Sequence, residues 1–125
     1  MKRMIFMMAL AVLAVISAPV KAQNASNESQ VVEFDKKVHD FGDILVTDGP
    51  QKCKFRLTNI SDAPIVIHTA VSSCGCTEPV WSKEPIQPGK STDIEVTFSN
   101  DQGPYPFNKS ITLYISGVTR PEVLH

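Results

Sequence analysis

The chain has 125 residues, with twelve Lys and Arg against thirteen Asp and Glu and a formal net charge of −1. That length suits one small domain. The near-neutral balance, with no basic run beyond short interspersed pairs, speaks against nucleic acid as a partner. At the amino end, Met1-Lys2-Arg3 is a short basic start and Met4–Ile16 is an uninterrupted apolar run of thirteen residues. Ser17–Ala22 then supplies small residues, with Val20 and Ala22 at the spacing a signal peptidase needs. A bilayer core of ~30 Å needs about 20 apolar residues, so residues 1–22 are expected to be a cleaved signal peptide rather than a stable membrane anchor. The first cysteine is Cys53, so no lipid attachment is available near the cleavage site. Without Lys2, Arg3 and Lys21 the formal charge falls from −1 to −4. An exported chain, periplasmic or extracellular, is the expectation.

Residues 23–30, "QNASNESQ", are polar and expected to be a disordered lead-in. Asn-x-Ser sequons stand at Asn24, Asn27, Asn59 and Asn108, and the bacterial look of the signal argues against their glycosylation. From residue 31 to residue 125 short strand-like runs alternate with turns. "VVEFD" is a first strand, and "HDFGDILVTDGP" carries turn residues at Gly42 and Asp48-Gly49-Pro50. "QKCKFRLTN" alternates Cys53, Phe55 and Leu57 with Lys52, Lys54 and Arg56, the period of a half-buried antiparallel strand. After the "NISDAP" turn comes "IVIHTAV", more continuously apolar, which runs into "SSCGCTEPVW". "EPIQPGKS" is a tight turn, and "STDIEVTFS" points Ile94, Val96 and Phe98 inward. "NDQGPYPFN" is a loop rich in Gly, Pro and aromatics; "KSITLYIS" aligns Ile111, Leu113 and Ile115, and "PEVLH" begins a last strand. About seven short strands with turns every ten residues or so predict an immunoglobulin-like antiparallel β-sandwich with no helix of any length. Ile65 and Ile67 join the expected core. The last strand is expected to be a short edge with unpaired backbone groups.

The succession "HDFGDI", "CKFRLTNISDAPIVI", "SSCGCTEPVWSKEPIQPGKSTDIEVTFS" and "NKSITLYISG" resembles a bacterial secreted family known only as a domain of unknown function. It is similar in plan to Hydin and major-sperm-protein-like immunoglobulin domains, over about Phe34 to Leu124. Its most specific pieces are Cys74-Gly75-Cys76-Thr77 and Pro85-Ile86-Gln87-Pro88-Gly89. The resemblance implies an immunoglobulin-like fold and an exported location, and no activity. It also implies a closing strand longer than the one present, so the last strand is expected to be truncated.

Catalytic signatures are missing. There is no Gly-x-Ser-x-Gly, no His-Glu-x-x-His, no phosphate loop and no dinucleotide fingerprint, so neither an enzyme nor a cofactor is expected. A cysteine nucleophile would need a nearby histidine, and nothing in the sequence brings His39, His68 or His125 to the cysteine loop. Cys74 and Cys76 admit three readings. In extended backbone their alpha carbons would stand about 6.6 Å apart, near the ~6.8 Å limit for a disulfide, and Gly75 eases the pucker that closes it. Such a ring would be strained and easily reduced, which keeps a redox role open. Two thiolates could instead hold copper(I) or part of a zinc site, although a closed zinc site needs four ligands. Cys53 shares a face with Phe55 and Leu57 and is expected in the core. Trp81 is either a lid over one end of the sandwich or an exposed anchor for a partner. Two functions follow as expectations. One is a non-catalytic binding or structural module of the cell envelope, meeting an unidentified protein partner through loops or an open edge strand. The other is a redox or soft-metal protein built on Cys74 and Cys76.

Overall fold

The computed structural model describes residues 30–125; the expected signal peptide and residues 23–29 of the lead-in lie outside the described residues. Seven strands form, β1 (Val32–Phe34), β2 (Gln51–Asn59), β3 (Ile67–Ser72), β4 (Thr77–Val80), β5 (Ser91–Phe98), β6 (Ile111–Ile115) and β7 (Glu122–Leu124). The only helical piece among the described residues is a 3-10 turn at Val46–Asp48. One sheet has the order β1-β2-β5-β4 and the other β3-β6-β7, all pairs within them antiparallel. That is the seven-strand arrangement of a constant-type immunoglobulin sandwich. β4, which begins one residue after Cys76, was not expected from the sequence, where its Pro79 reads as loop. It lies at a sheet edge, where a proline costs no ladder hydrogen bond.

The long pair β2–β5 sets the core. Its register matches Cys53 with Val96, Phe55 with Ile94 and Leu57 with Thr92. Every residue expected between the sheets is buried: Phe55, Leu57, Ile65, Ile67, Ile94, Val96, Phe98, Ile111, Leu113 and Ile115. The outward residues of the same strands pair by charge, Arg56 with Asp93 and Lys52 with Glu95. On an exposed surface such pairs add little stability.

Three local features depart from simple alternation. At His68 the pairing of β3 with β6 slips, because Ile67 meets Ile115 and Thr69 already meets Tyr114. This bulge inverts the inward parity, so Ala70 packs on the core while Val71 is exposed. At the amino side the chain leaves β2 after Asp35, whose N–H still donates to the Arg56 carbonyl, and crosses to the other sheet. There His125 donates to the Lys37 carbonyl (2.8 Å) and accepts from the His39 N–H (2.7 Å), the hydrogen-bond pattern of a parallel pair. The edge beside β7, expected to be open, is thus covered at His125 by residues 37–39, and Lys37 pairs with Glu122.

The third feature is Asn59. Its Nδ2 donates to the Ala63 and Ile86 carbonyls, both at 2.8 Å, and its Oδ1 accepts from Ser61 N–H and Oγ. The side chain is fully buried, so this sequon is closed to modification. Its backbone carbonyl accepts from Gly89, which sits at φ 76 in the turn Gln87–Lys90. Pro88 followed by a glycine at positive φ is the pattern of a type II turn. Leu57→Ala is expected to cost about 3 kcal/mol through the cavity it leaves. Asn59→Ala is expected to cost about 2 kcal/mol or more, because buried carbonyls lose their donor. Lys54→Ala should stay within ~0.5 kcal/mol. Urea midpoints compare the three, and an Asn59→Ala protein as stable as Lys54→Ala would contradict the buried network.

Candidate functional site

Strand ends Gln51, Phe98, Thr77, Ser72, Ile111 and Leu124 gather at one end of the sandwich, as the registers require. Three connections therefore cluster there: residues 35–50, residues 73–76 and residues 99–110. Between the first and the third lies a cleft of about 1000 Å³. Its floor is the inner face of β2 and β5, with Cys53, Phe55, Val96 and Phe98, and its walls carry Phe41 and Phe107. The rings form a series: His39 meets Phe41 edge-on at 4.7 Å, Phe41 lies 6.5 Å from Phe98, and Phe98 stacks on Phe107 at 4.4 Å. Tyr105, 75% exposed, and Phe107, 37% exposed, bring apolar surface to the mouth.

Polar groups hold these walls. Asn100 is buried in the left-handed region at φ 56, which asparagine tolerates better than most residues. Its Nδ2 donates to the carbonyls of Leu45 (2.7 Å) and Gly49 (3.1 Å), tying the two walls together. The sequence reading passed over Asn100; an asparagine ahead of Asp-Gln-Gly in a turn-rich loop was the available sign. Lys36 Nζ lies 2.9 Å from His39 Nδ1, and since an ammonium only donates, Nδ1 accepts and Nε2 carries the ring proton. Burial, then the Lys36 charge, depresses the His39 pKa, so the ring is neutral at neutral pH.

Cys74 and Cys76 are joined as a disulfide, with alpha carbons 5.3 Å apart, in the connection that carries the chain from one sheet to the other. Both are half-buried, and the Thr77 hydroxyl stands 3.7 Å from one sulfur and 3.8 Å from the other. With the sulfurs bonded to each other, neither is a thiolate ligand, and no group of three His, Cys, Asp or Glu side chains able to hold a metal occurs among the described residues. Cys53 is free and 8% exposed, and burial pushes its thiol pKa up, partly offset by Lys36. The structure does not bring Cys53 into the bond, and the histidines of the cleft are not bonded to the cysteine loop.

Trp81 packs half-buried against the core, and its indole N–H donates to the Ile67 carbonyl at 3.2 Å. That carbonyl comes one residue before the bulge at His68, on the edge strand β3, where Trp81 supplies it with a donor. It sits beside the bulge, away from the cysteine loop. His68 is exposed.

A family model described as "Protein of unknown function (DUF1573)" matches residues 32–125. No curated protein matches the sequence. A solved structure similar in fold is the crystal structure of a protein of unknown function from Porphyromonas gingivalis W83, at 18% identity and a TM-score of 0.64. The alignment covers 75% of this chain and 44% of that one, so the chain spans less than half the length of that protein.

Iodoacetamide applied to native protein after mild reduction should add two labels, at Cys74 and Cys76, and reach Cys53 only in denaturant. Peptide mass mapping reads the order. A Cys53 label appearing first would overturn the assignment of that thiol to the closed core.

Proposed function

This chain belongs to the DUF1573 family of proteins of unknown function, and we propose that it is an exported, non-catalytic binding module of the bacterial cell envelope. The observation that carries this reading is the aromatic cleft at the loop end of the sandwich. Its volume matches that of ligand-binding clefts, which are concave, mostly apolar and hold a few placed polar groups. The rings supply area that is already ordered, so little side-chain entropy is lost on binding. The partner is a protein that inserts an apolar side chain there through the loops at residues 35–50 and 99–110. The edge at β7 is the weaker route, since residues 37–39 already occupy it at His125. Export is supported by the basic start and apolar run of residues 1–22, and by the disulfide, which persists outside the cytosol. In this reading the Cys-Gly-Cys-Thr segment and the Pro85–Gly89 turn serve as the family signature, and the sandwich is similar in plan to Hydin and major-sperm-protein-like domains.

A second reading, thiol redox at Cys74 and Cys76, is favoured by the position of the disulfide within reach of solvent, and soft-metal handling there would require the bond to be reduced first. Among the described residues no cation lines the shallow hollow beside the sulfurs to lower a thiol pKa; its charged residue is Asp101, whose pKa is held down by Ser99 and then Gln102. A carboxylate there opposes thiolate formation. Binding by the cleft is the stronger reading.

Nile red, a neutral dye whose emission shifts blue in apolar surroundings, tests the cleft. Native protein should bind it, and Phe107→Ala should weaken binding about tenfold through loss of the stack on Phe98. Tyr114→Ala, on the outer face of β6, should change nothing. Equal binding by the Phe107→Ala protein would remove the cleft as the binding face.

A further inference from the structure

The wall of the cleft formed by residues 99–110 stands on two feet, and both rest on the cysteine connection. At the first foot the Ser99 N–H donates to the Cys76 carbonyl at 2.8 Å. At the second the Ser73 N–H donates to the Ser110 carbonyl at 2.8 Å, and the Ser110 N–H donates back to Ser73 Oγ at 3.0 Å. Cys76 is thus itself the first anchor, and Cys74 lies between it and Ser73, the second. The turn they close is itself held inward, because the Cys74 carbonyl accepts from Ser72 Oγ at 2.7 Å and from the Thr77 N–H at 3.4 Å. A shallow hollow lined by Cys74, Gly75, Cys76, Ser99, Asp101 and Gln102 opens this junction to solvent.

From this we infer that Cys74–Cys76 is a thiol–disulfide exchange site for a dithiol, and that its reduction unlatches the wall of the cleft. The inference rests on the reading of the cleft as the binding face. The bond ties the two alpha carbons at 5.3 Å across a turn whose own closing hydrogen bond, from the Thr77 N–H to the Cys74 carbonyl, is long at 3.4 Å. Without the bond, three residues regain backbone freedom, set against the few hydrogen bonds that remain. The Cys76 carbonyl moves with them, and it is the acceptor for Ser99. Phe107, in the middle of the same loop, then loses its fixed place against Phe98.

The exchange balances with a dithiol alone. One thiolate of the donor attacks a sulfur of the Cys74–Cys76 bond, forming a mixed disulfide and releasing the other cysteine as a thiolate, which takes a proton. The second thiol of the donor then closes on the mixed disulfide. The donor leaves oxidised, both cysteines end as thiols, and two electrons and two protons have passed. The Thr77 hydroxyl, within 3.8 Å of both sulfurs, is placed to donate to whichever sulfur leaves as thiolate. The Asp101 carboxylate lining the hollow selects against a donor that carries negative charge beyond its attacking thiolate.

The test uses the whole exported protein, with Nile red as the cleft probe and dithiothreitol as the dithiol. Reduction should weaken dye binding about 3- to 10-fold, the equivalent of one backbone hydrogen bond, and speed amide exchange across residues 99–110. A Cys74→Ser/Cys76→Ser double variant should bind weakly from the start and ignore dithiothreitol. Equal affinity and equal exchange in the oxidised and reduced protein would overturn the latch, as would a double variant that still responds. Phe107→Ala separates the two ideas. If dye binding needs Phe107 but not the disulfide, the latch fails and the cleft stands. If dye binding ignores Phe107, the cleft reading fails, and the latch is then decided by amide exchange alone.

Discussion

The antiparallel pairing of β2 with β5 is the constraint on which the rest of the structure depends. Its eight matched pairs, Gln51 with Phe98 through Thr58 with Ser91, place every apolar side chain of both strands on one face. In a pleated sheet a slip of one residue would send that whole face to solvent, so burial locks the register. The same register decides where strands end. Phe98 lies opposite both Gln51 and Thr77, so the loop after β5 and the connection before β4 are brought to one place.

That convergence explains why the loop end is both concave and heavily cross-linked. Two of the three connections there carry the chain from one sheet to the other, and their backbone groups leave the ladders. Such groups must find partners elsewhere. Asn100 supplies them for Leu45 and Gly49, Ser99 and Ser110 find them in the cysteine connection, and the disulfide closes the tightest corner. With the polar groups so occupied, the aromatic rings are left to line the space between the loops. At the other end the buried Asn59 side chain forms its own hydrogen-bond network, joining Ser61, Ala63 and Ile86.

Much of this was legible in the residues. Period-2 alternation in "QKCKFRLTN" and "STDIEVTFS" located β2 and β5 to within a residue, assigned Cys53 to the core and identified five of the ten residues buried between the sheets, and "KSITLYIS" supplied three more. β4 was not legible, since four residues containing a proline and following a glycine loop carry no alternation to count. The bulge at His68 was hidden for a related reason: "IVIHTAV" has no clean alternation, and only the pairing with β6 shows that Val71 turns outward.

The chain by itself therefore determined the sandwich, the face of each long strand and the separation of Cys53 from the loop pair, because local alternation and turn residues act over a few positions. Tertiary structure alone decided three things: that Phe41, Phe98 and Phe107 form one series, that residues 37–39 cover the strand at His125, and that the disulfide underlies a wall of the cleft. Each joins residues distant in sequence. Their proximity follows from strand registers and crossovers between sheets, which a local pattern does not encode.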